Sequence, residues 1–510
     1  MPLPGLERWV KMPRTGRILT VQRTSKESFL AASPPVPLAT VLPLPPYSVF
    51  ELYQRLTGDA RCPVLLESGY RQRGLSAGPC YSIIGADPAL LFRGTGSCLA
   101  WSARGEEWAP CAGDPMHALR DILGRMAVPR PAGFPPFYGG AIGYFGYDVA
   151  RWFERLPNPP DDDRALPDIE LAFFDLAAVV DHEQQELWLI FCPFGERFLK
   201  EPRGQLYEEG AARLLALETR LTGRLPVLPD TSPHVPPHIS PGMSEADYAA
   251  KVRRCLEYIA AGDIYQANLS HRFSVELGGR SPRSIYHRLR EINPSPFSAL
   301  LELPDVTLIS CSPERLVRLS GTDVDTRPIA GTRPRGSSTD EDRLLVEDLL
   351  MSPKERAEHI MLVDLERNDL GRVCAYGSVR VDEFMAVERY SHVSHIVSNI
   401  RGHLAPGRDA LDLLRAVFPG GTVTGVPKVR CMEIIDELEP VRRGPYTGSI
   451  GYLSPSGDLD LNIIIRTLVV KGEQASLHVG AGIVADSDPV REYQETLLKA
   501  EALLKALRES

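Results

Sequence analysis

The chain has 510 residues and no Cys-x-x-Cys pair; its nine cysteines stand singly between Cys62 and Cys431. That spacing excludes a disulfide framework and a zinc ribbon, and it suits thiols kept reduced in the cytoplasm. No apolar run approaches the roughly 18 residues of a spanning helix, so no membrane role is expected. Surplus positive charge is missing too. Lys and Arg number 57 against 66 Asp and Glu, a net charge of −9, which argues against a nucleic-acid surface. The basic residues from Arg8 to Lys26 are followed by no apolar stretch and so form no secretory signal. Residues 1–40 read as a poorly ordered extension, with Met12 an alternative start. No glycine-rich loop ends in Gly-Lys-Ser/Thr, which excludes a nucleotide phosphate loop.

What is present is an ordinary globular composition, 43% apolar and 24% charged. One strong linker stands out, the proline-dense stretch 225–243, which no helix could tolerate. It divides an N-terminal domain, 41–224, from a C-terminal domain, 244–510. Before it, short β-like runs at 64–67, 81–85, 171–180 and 186–191 predict an open antiparallel sheet. After it, Ser244-x-x-Asp247 caps a helix to residue 261, and 306–310 with 315–319 read as a hairpin. A helix is predicted at 427–438, strands at 461–470 and 476–484, and a closing helix at 488–507. Strands and helices in long blocks favour an α+β fold.

Several clusters could carry chemistry. The stretch 326–336, TRPIAGTRPRG, reads as a strand end entering a turn, with glycines, the Thr332 hydroxyl and three arginines. An anionic small molecule would suit it, and so would a plain basic surface turn. Ser352-Pro353-Lys354-Glu355 opens a helix as a capping box, which gives Glu355 a structural role; Glu358 follows on the same face. In the closing helix, Val490, Tyr493, Leu497, Ala500, Leu504 and Leu507 share one side, predicted as core. Glu492, Glu495 and Lys499 share the opposite side, which reads as solvated unless it meets another acidic face, and spacing alone cannot show such a meeting. His395 follows His392 in a β-branched run and is read as the buried one of the pair. FPGGTVTGVPK, with Thr422, could hold an anion beside a helix N-terminus, and Gly480-Ala481-Gly482 has the same possible use. Arg466, alone in an apolar run, is either paired at a sheet edge or aimed at a carboxylate.

These motifs, with GDIYQ, SPER, RAEHIMLVDL, RRGPYTGSIGY, IIIRT and GAGIVADS, are similar to those of the chorismate-utilising enzymes from about Ser244 to Leu507. The resemblance extends more weakly to LLES, YSIIG and GGAIGY in the first half. It implies a large two-sheet antiparallel sandwich with outer helices. It implies Mg²⁺ held by Glu358 and Glu495, with Glu355 and Glu492 acting through water. It implies a substrate grip by Arg466, Tyr446 and the Gly482 backbone, with Thr422 and Lys499 lining the pocket, and acid–base roles for Glu314 and His395. Ala330 stands where some members carry lysine as base or nucleophile, so ammonia would attack directly. Ala330 resembles the anthranilate synthases, which aminate C2. The segments YQANL, PFSA, RRGPYTGSIG, LNI and EYQET resemble the aminodeoxychorismate synthases, which aminate C4 on the way to 4-aminobenzoate and folate. The larger set of segments favours the C4 product; anthranilate is the alternative, and a non-catalytic binder the third reading. Leu66, Glu67 and Ser68 resemble a segment lining a tryptophan pocket in relatives. No glutaminase elbow is present and the chain stops after the closing helix. Ammonia is therefore expected from a separate glutamine amidotransferase subunit.

Overall fold

The structure is a computed structural model that describes residues 6–11, 19–68, 81–223, 225, 236–389 and 393–510, with side chains from residue 21 onward. Among the described residues, the strands form one fourteen-stranded and one twelve-stranded sheet, antiparallel throughout their named pairs. Alternating apolar residues on strands from both sheets, such as Ile142, Tyr144 and Phe174 with Val179, Leu300 and Ile309, meet in one buried core. The outer faces are covered by helices. Leu206 and Leu214 of helix Arg203–Thr222 cover the first sheet, and Leu411 and Leu414 of helix Ala410–Val417 cover the second. The architecture is the expected α+β sandwich.

Both sheets draw strands from both halves of the chain. Val64–Glu67 pairs with Phe297–Glu302 in the first sheet, and Gly140–Phe145 pairs with Ser449–Leu453 in the second. Stretch 225–243 therefore separates the halves in sequence but not in the sheets; most of it lies outside the described residues. The expected loose extension over 1–40 also needs correction. Leu19–Thr24 joins the first sheet beside Leu38–Pro43, and helix Lys26–Ala31 buries Phe29.

Three apparently continuous elements are broken by passages between the sheets. The run 171–180 is two strands, Ile169–Phe174 in the second sheet and Leu176–Asp181 in the first. The run 461–470 splits likewise into Leu459–Asn462 and Thr467–Lys471. The predicted hairpin is not one: Thr307–Ser312 belongs to the first sheet and Arg315–Ser320 to the second. A run buried on both faces is apolar whichever sheet it serves, so hydrophobic pattern cannot reveal the change. The lone charged residue in the first two runs, Asp175 or Arg466, marks the crossing.

The closing helix, Pro489–Glu509, is rotated from its predicted setting. It buries Glu492, Thr496, Ala500, Leu503 and Leu507, while Val490, Leu497 and Leu498 are exposed. Small Thr496 and Ala500 permit close approach to strand Gln474–Ile483, which outweighs the larger apolar stripe. Thr496 also bonds His271 Nε2 at 2.8 Å.

Candidate active site

Two neighbouring crossings build the site. The first carries Glu314, between Ser312 and Arg315, and the second carries Arg466. They are stitched together by Ile463 N–H to Glu314 O at 3.0 Å and Cys311 N–H to Arg466 O at 3.1 Å. Arg466 takes a left-handed φ of 50° at the turn. Its guanidinium lies close enough to lower the proton affinity of both Glu314 and His395. These candidate residues are together because strands change sheets here, leaving irregular backbone between two rigid layers.

Glu314 is buried, 5% exposed. Burial pushes its carboxyl up to about 7, against the opposing pull of the Thr422 hydroxyl, the Ile329 N–H and Arg466. The Ile329 N–H reaches Glu314 Oε1 at 3.5 Å. Thr422 is near enough to act on the carboxyl, yet its Oγ1 makes no hydrogen bond of good geometry. Ala330 follows Ile329 directly in the strand, one residue from the N–H that reaches Glu314.

The TRPIAGTRPRG stretch is a strand, Ile329–Pro334, rather than a turn, and pairs with Val393–His403. Its register sets Thr332 opposite His395, with Thr332 Oγ1 3.0 Å and Gly331 O 3.2 Å from His395 Nδ1. A carbonyl only accepts, so Nδ1 carries the proton. Burial, reinforced by Arg466, lowers His395 to about 4, so the ring is neutral at neutral pH. It can orient or accept there, but the carboxyl near 7 is the better proton carrier. The three arginines do not form an anion grip. Arg327 pairs with Glu388 and Glu383, Arg333 with Asp348 and Glu355, and Arg335 with Asp342.

A second group of side chains gathers from helices Pro353–Gly371 and Pro489–Glu509. Glu358 is half-buried; desolvation raises its proton affinity, and Glu355, Glu492 and Glu495 raise it further. Glu492 is 8% exposed and raised by burial and by Glu495. Ser352 Oγ caps the Glu355 N–H at 3.4 Å, but the Glu355 carboxylate turns to Arg333 instead of completing the capping box. Glu495 pairs with Lys499 at 2.8 Å, and Lys499 Nζ donates to Gly480 O at 2.9 Å. Gly331 links the two groups: with φ at 60°, a methyl placed on it would meet Glu355 Oε2 at 2.9 Å. Among the described residues, no three His, Cys, Asp or Glu side chains converge tightly enough to hold a metal by themselves. Tyr446 is buried, stacks on His478 at 5.1 Å and sets its hydroxyl against Gly480.

The whole chain can now be set beside known proteins. It matches the family described as chorismate binding enzyme over residues 69–505. It belongs to that family. It is 44% identical to aminodeoxychorismate synthase component 1 of Bacillus subtilis (strain 168), over 92% of this chain and 97% of that one. It is 45% identical to anthranilate synthase component 1 of Thermus thermophilus, over 89% and 94%. The crystal structure of anthranilate synthase component I from Streptococcus pneumoniae TIGR4 superposes with a TM-score of 0.75 at 33% identity, covering 90% of this chain and 97% of that chain.

Within this chorismate-binding enzyme fold, a cavity of about 300 Å³ lies between the sheets, with Arg315 but not Glu314 in its lining. Leu66, Glu67 and Ser68 line it, together with Phe297, Ile450 and Asn462. Glu67 is already engaged by Arg290 and by Tyr286 Oη at 2.8 Å. Sequence reading assigned no role to Glu366, buried below Glu314 and bonded to Thr326 Oγ1 at 2.7 Å, or to Gln266. The signal for Glu366 was its place in a charged helix with an apolar frame.

Proposed function

We propose that this chain catalyses the Mg²⁺-dependent amination of chorismate by ammonia, giving 4-amino-4-deoxychorismate. The observation that carries the amination reading is Glu314, a carboxyl held near 7 and facing Arg466; the C4 product rests on the segments YQANL, PFSA, RRGPYTGSIG, LNI and EYQET. The Ala330 methyl supplies no nucleophile, so nitrogen must enter as free ammonia. Arg466, Tyr446 and the Gly482 backbone would hold the side-chain carboxylate of chorismate, with Thr422 and Lys499 beside it. Glu314, half protonated near neutrality, can give a proton to the departing C4 oxygen and take one from the incoming nitrogen. His395, neutral and fixed by Gly331 and Thr332, would orient the ring.

The four carboxylates Glu355, Glu358, Glu492 and Glu495 fit a magnesium ion. They offer only oxygen, burial with a smaller part from their mutual repulsion raises Glu358 and Glu492, and Mg²⁺ needs few protein ligands because it keeps its waters. Glu358 and Glu495 would bind directly and the other two through water. Bound there, the metal would neutralise the ring carboxylate and the charge that develops as the C4 oxygen leaves.

A second reading, anthranilate formation by amination at C2, is favoured by Ala330 itself. Near-equal identity to relatives of both names does not separate the two. Incubation with chorismate, Mg²⁺ and ammonium does. Fluorescent anthranilate would overturn the C4 reading, whereas 4-aminobenzoate appearing only after a lyase is added would support it. No consumption of chorismate would leave a binding protein. We also propose a separate glutamine-hydrolysing subunit as the ammonia source, as the component 1 names of the relatives suggest. Among the described residues no helix is long and apolar enough to cross a membrane, and the described cysteines are free, which supports a cytoplasmic setting.

A further inference from the structure

Gln266 opens strand Gln266–Glu276 and is 8% exposed. Its backbone is held on both sides: it pairs with Val426, and its carbonyl accepts from Cys431 Sγ at 3.0 Å. The side chain therefore has little freedom. Its Nε2 lies 3.1 Å from Glu358 Oε1. An ionised carboxylate can only accept, so the amide must present N–H to it, and the amide oxygen then points elsewhere. That Oε1 is enclosed and has no hydrogen-bond donor from the protein. A buried acceptor left this way is costly and is seldom retained without a partner that arrives from outside.

Gly482 keeps open the space on the nitrogen side of the amide, next to Glu358. A methyl there would stand 2.7 Å from Gln266 Nε2 and 4.0 Å from Glu358 Oε1. The surroundings are acidic, with Glu355, Glu492 and Glu495 acting on Glu358. What is missing at this point is a hydrogen-bond donor that carries or accompanies positive charge. A water on a divalent cation is such a donor, and Mg²⁺ retains several.

We propose that Gln266 is a positioning residue of the cation site: its N–H fixes the Glu358 carboxylate, and its Oε1 accepts a hydrogen bond from a water on the metal. This rests on the magnesium reading above and adds to it the group that orients the ligand, in the manner of outer-shell partners elsewhere. The amide bridges one direct ligand and one metal-bound water, so it acts on affinity for the ion rather than on the grip on chorismate.

The test uses Mn²⁺ in place of Mg²⁺, added to the full chain without chorismate and followed by loss of the free-ion paramagnetic resonance signal. Gln266→Met is expected to weaken Mn²⁺ binding about 10- to 100-fold. Its KM for chorismate at saturating Mg²⁺ should stay near the parent value, a split that mere loosening of the fold would not give. If Gln266→Met fails to fold, Gln266→Asn serves: it keeps an amide but shortens its reach, and the same loss is expected. A folded variant with unchanged Mn²⁺ affinity would overturn the proposal, as would intact affinity with a raised KM, which would assign the amide to the substrate. Failure of the underlying reading looks different. There, the parent and Glu358→Gln would behave alike toward Mn²⁺.

Discussion

Glu314 permits a test in which activity and stability move in opposite directions. Burial raises its carboxyl from the ordinary 4.5 to about 7, so the folded chain binds that proton more tightly than the unfolded chain does. Between those values the folded state holds the extra proton, and stability falls as pH rises through the window. Above 7 the full penalty of keeping a charged carboxylate buried is in force. At 1.36 kcal/mol for each tenfold change in proton affinity, the penalty is about 3 kcal/mol. Glu314→Gln keeps the shape and cannot ionise. The variant should therefore be more stable than the parent at pH 8 by up to about 3 kcal/mol, and nearly equal to it at pH 4.5, where the parent is protonated too. Urea unfolding of both proteins at the two pH values measures this difference, and an amination assay at pH 8 should find the variant inactive. An equal gap at both pH values, or a variant less stable at pH 8, would refute a carboxyl raised by burial. The trade would then have no basis at this residue.

Glu358→Gln and Glu495→Gln should each abolish Mg²⁺-dependent turnover with little change in melting; normal activity in either removes that residue from the metal site. Glu355→Gln should reduce activity less and also loosen Arg333, a loss visible as lower thermal stability. Asn462→Ala should destabilise the fold by about 1–3 kcal/mol, since it strips the buried Ile450 N–H of its acceptor at 2.8 Å. The purified chain should use ammonium salts and fail with glutamine until a glutaminase subunit is supplied; glutamine-dependent turnover by the single chain would contradict this. Tryptophan should give binding heat from the 300 Å³ cavity, and a silent titration at millimolar concentration would dismiss that site.

Much of the fold was legible because its boundaries are local chemistry. Ser244 caps its helix through Asp247 N–H, and Gly262 ends it in the left-handed region. Passages between the sheets were not legible, because a strand buried on both faces reads the same before and after it changes layer. The site suffered from the same blindness. Glu314 looked like a turn residue of a hairpin and Arg466 like an intruder in a strand, when each occupies a crossing and the two crossings are neighbours. Distance along the chain, not chemistry, concealed their meeting. The closing helix failed for another reason. Hydrophobic periodicity ranks residues by apolarity, while the helix is seated by the small residues Thr496 and Ala500, which brings Glu492 inward toward Glu358.

The product is harder to read than the fold because the segments that resemble each branch are not independent of one another. Asn462 Oδ1 accepts from the Ile450 N–H, its Nδ2 donates to Phe297 O at 3.4 Å, and its own carbonyl accepts from Ser449 Oγ. The segments PFSA, RRGPYTGSIG and LNI are therefore one hydrogen-bonded unit, and a change in one constrains the others. That unit lines the cavity shared with Leu66, Glu67 and Ser68, and it also reaches Glu314, whose carbonyl accepts from the Ile463 N–H. Three of the matching segments thus amount to a single observation. Ala330 is also a single observation, one residue from the Ile329 N–H that reaches the Glu314 carboxyl. The two weigh differently: the cavity unit speaks of shared ancestry and the alanine of what chemistry the pocket permits. On the proposed reading an alanine would permit direct attack by ammonia at either ring carbon, so the choice between C2 and C4 would lie in how Arg466, Tyr446 and the proposed cation site set the ring relative to the incoming nitrogen.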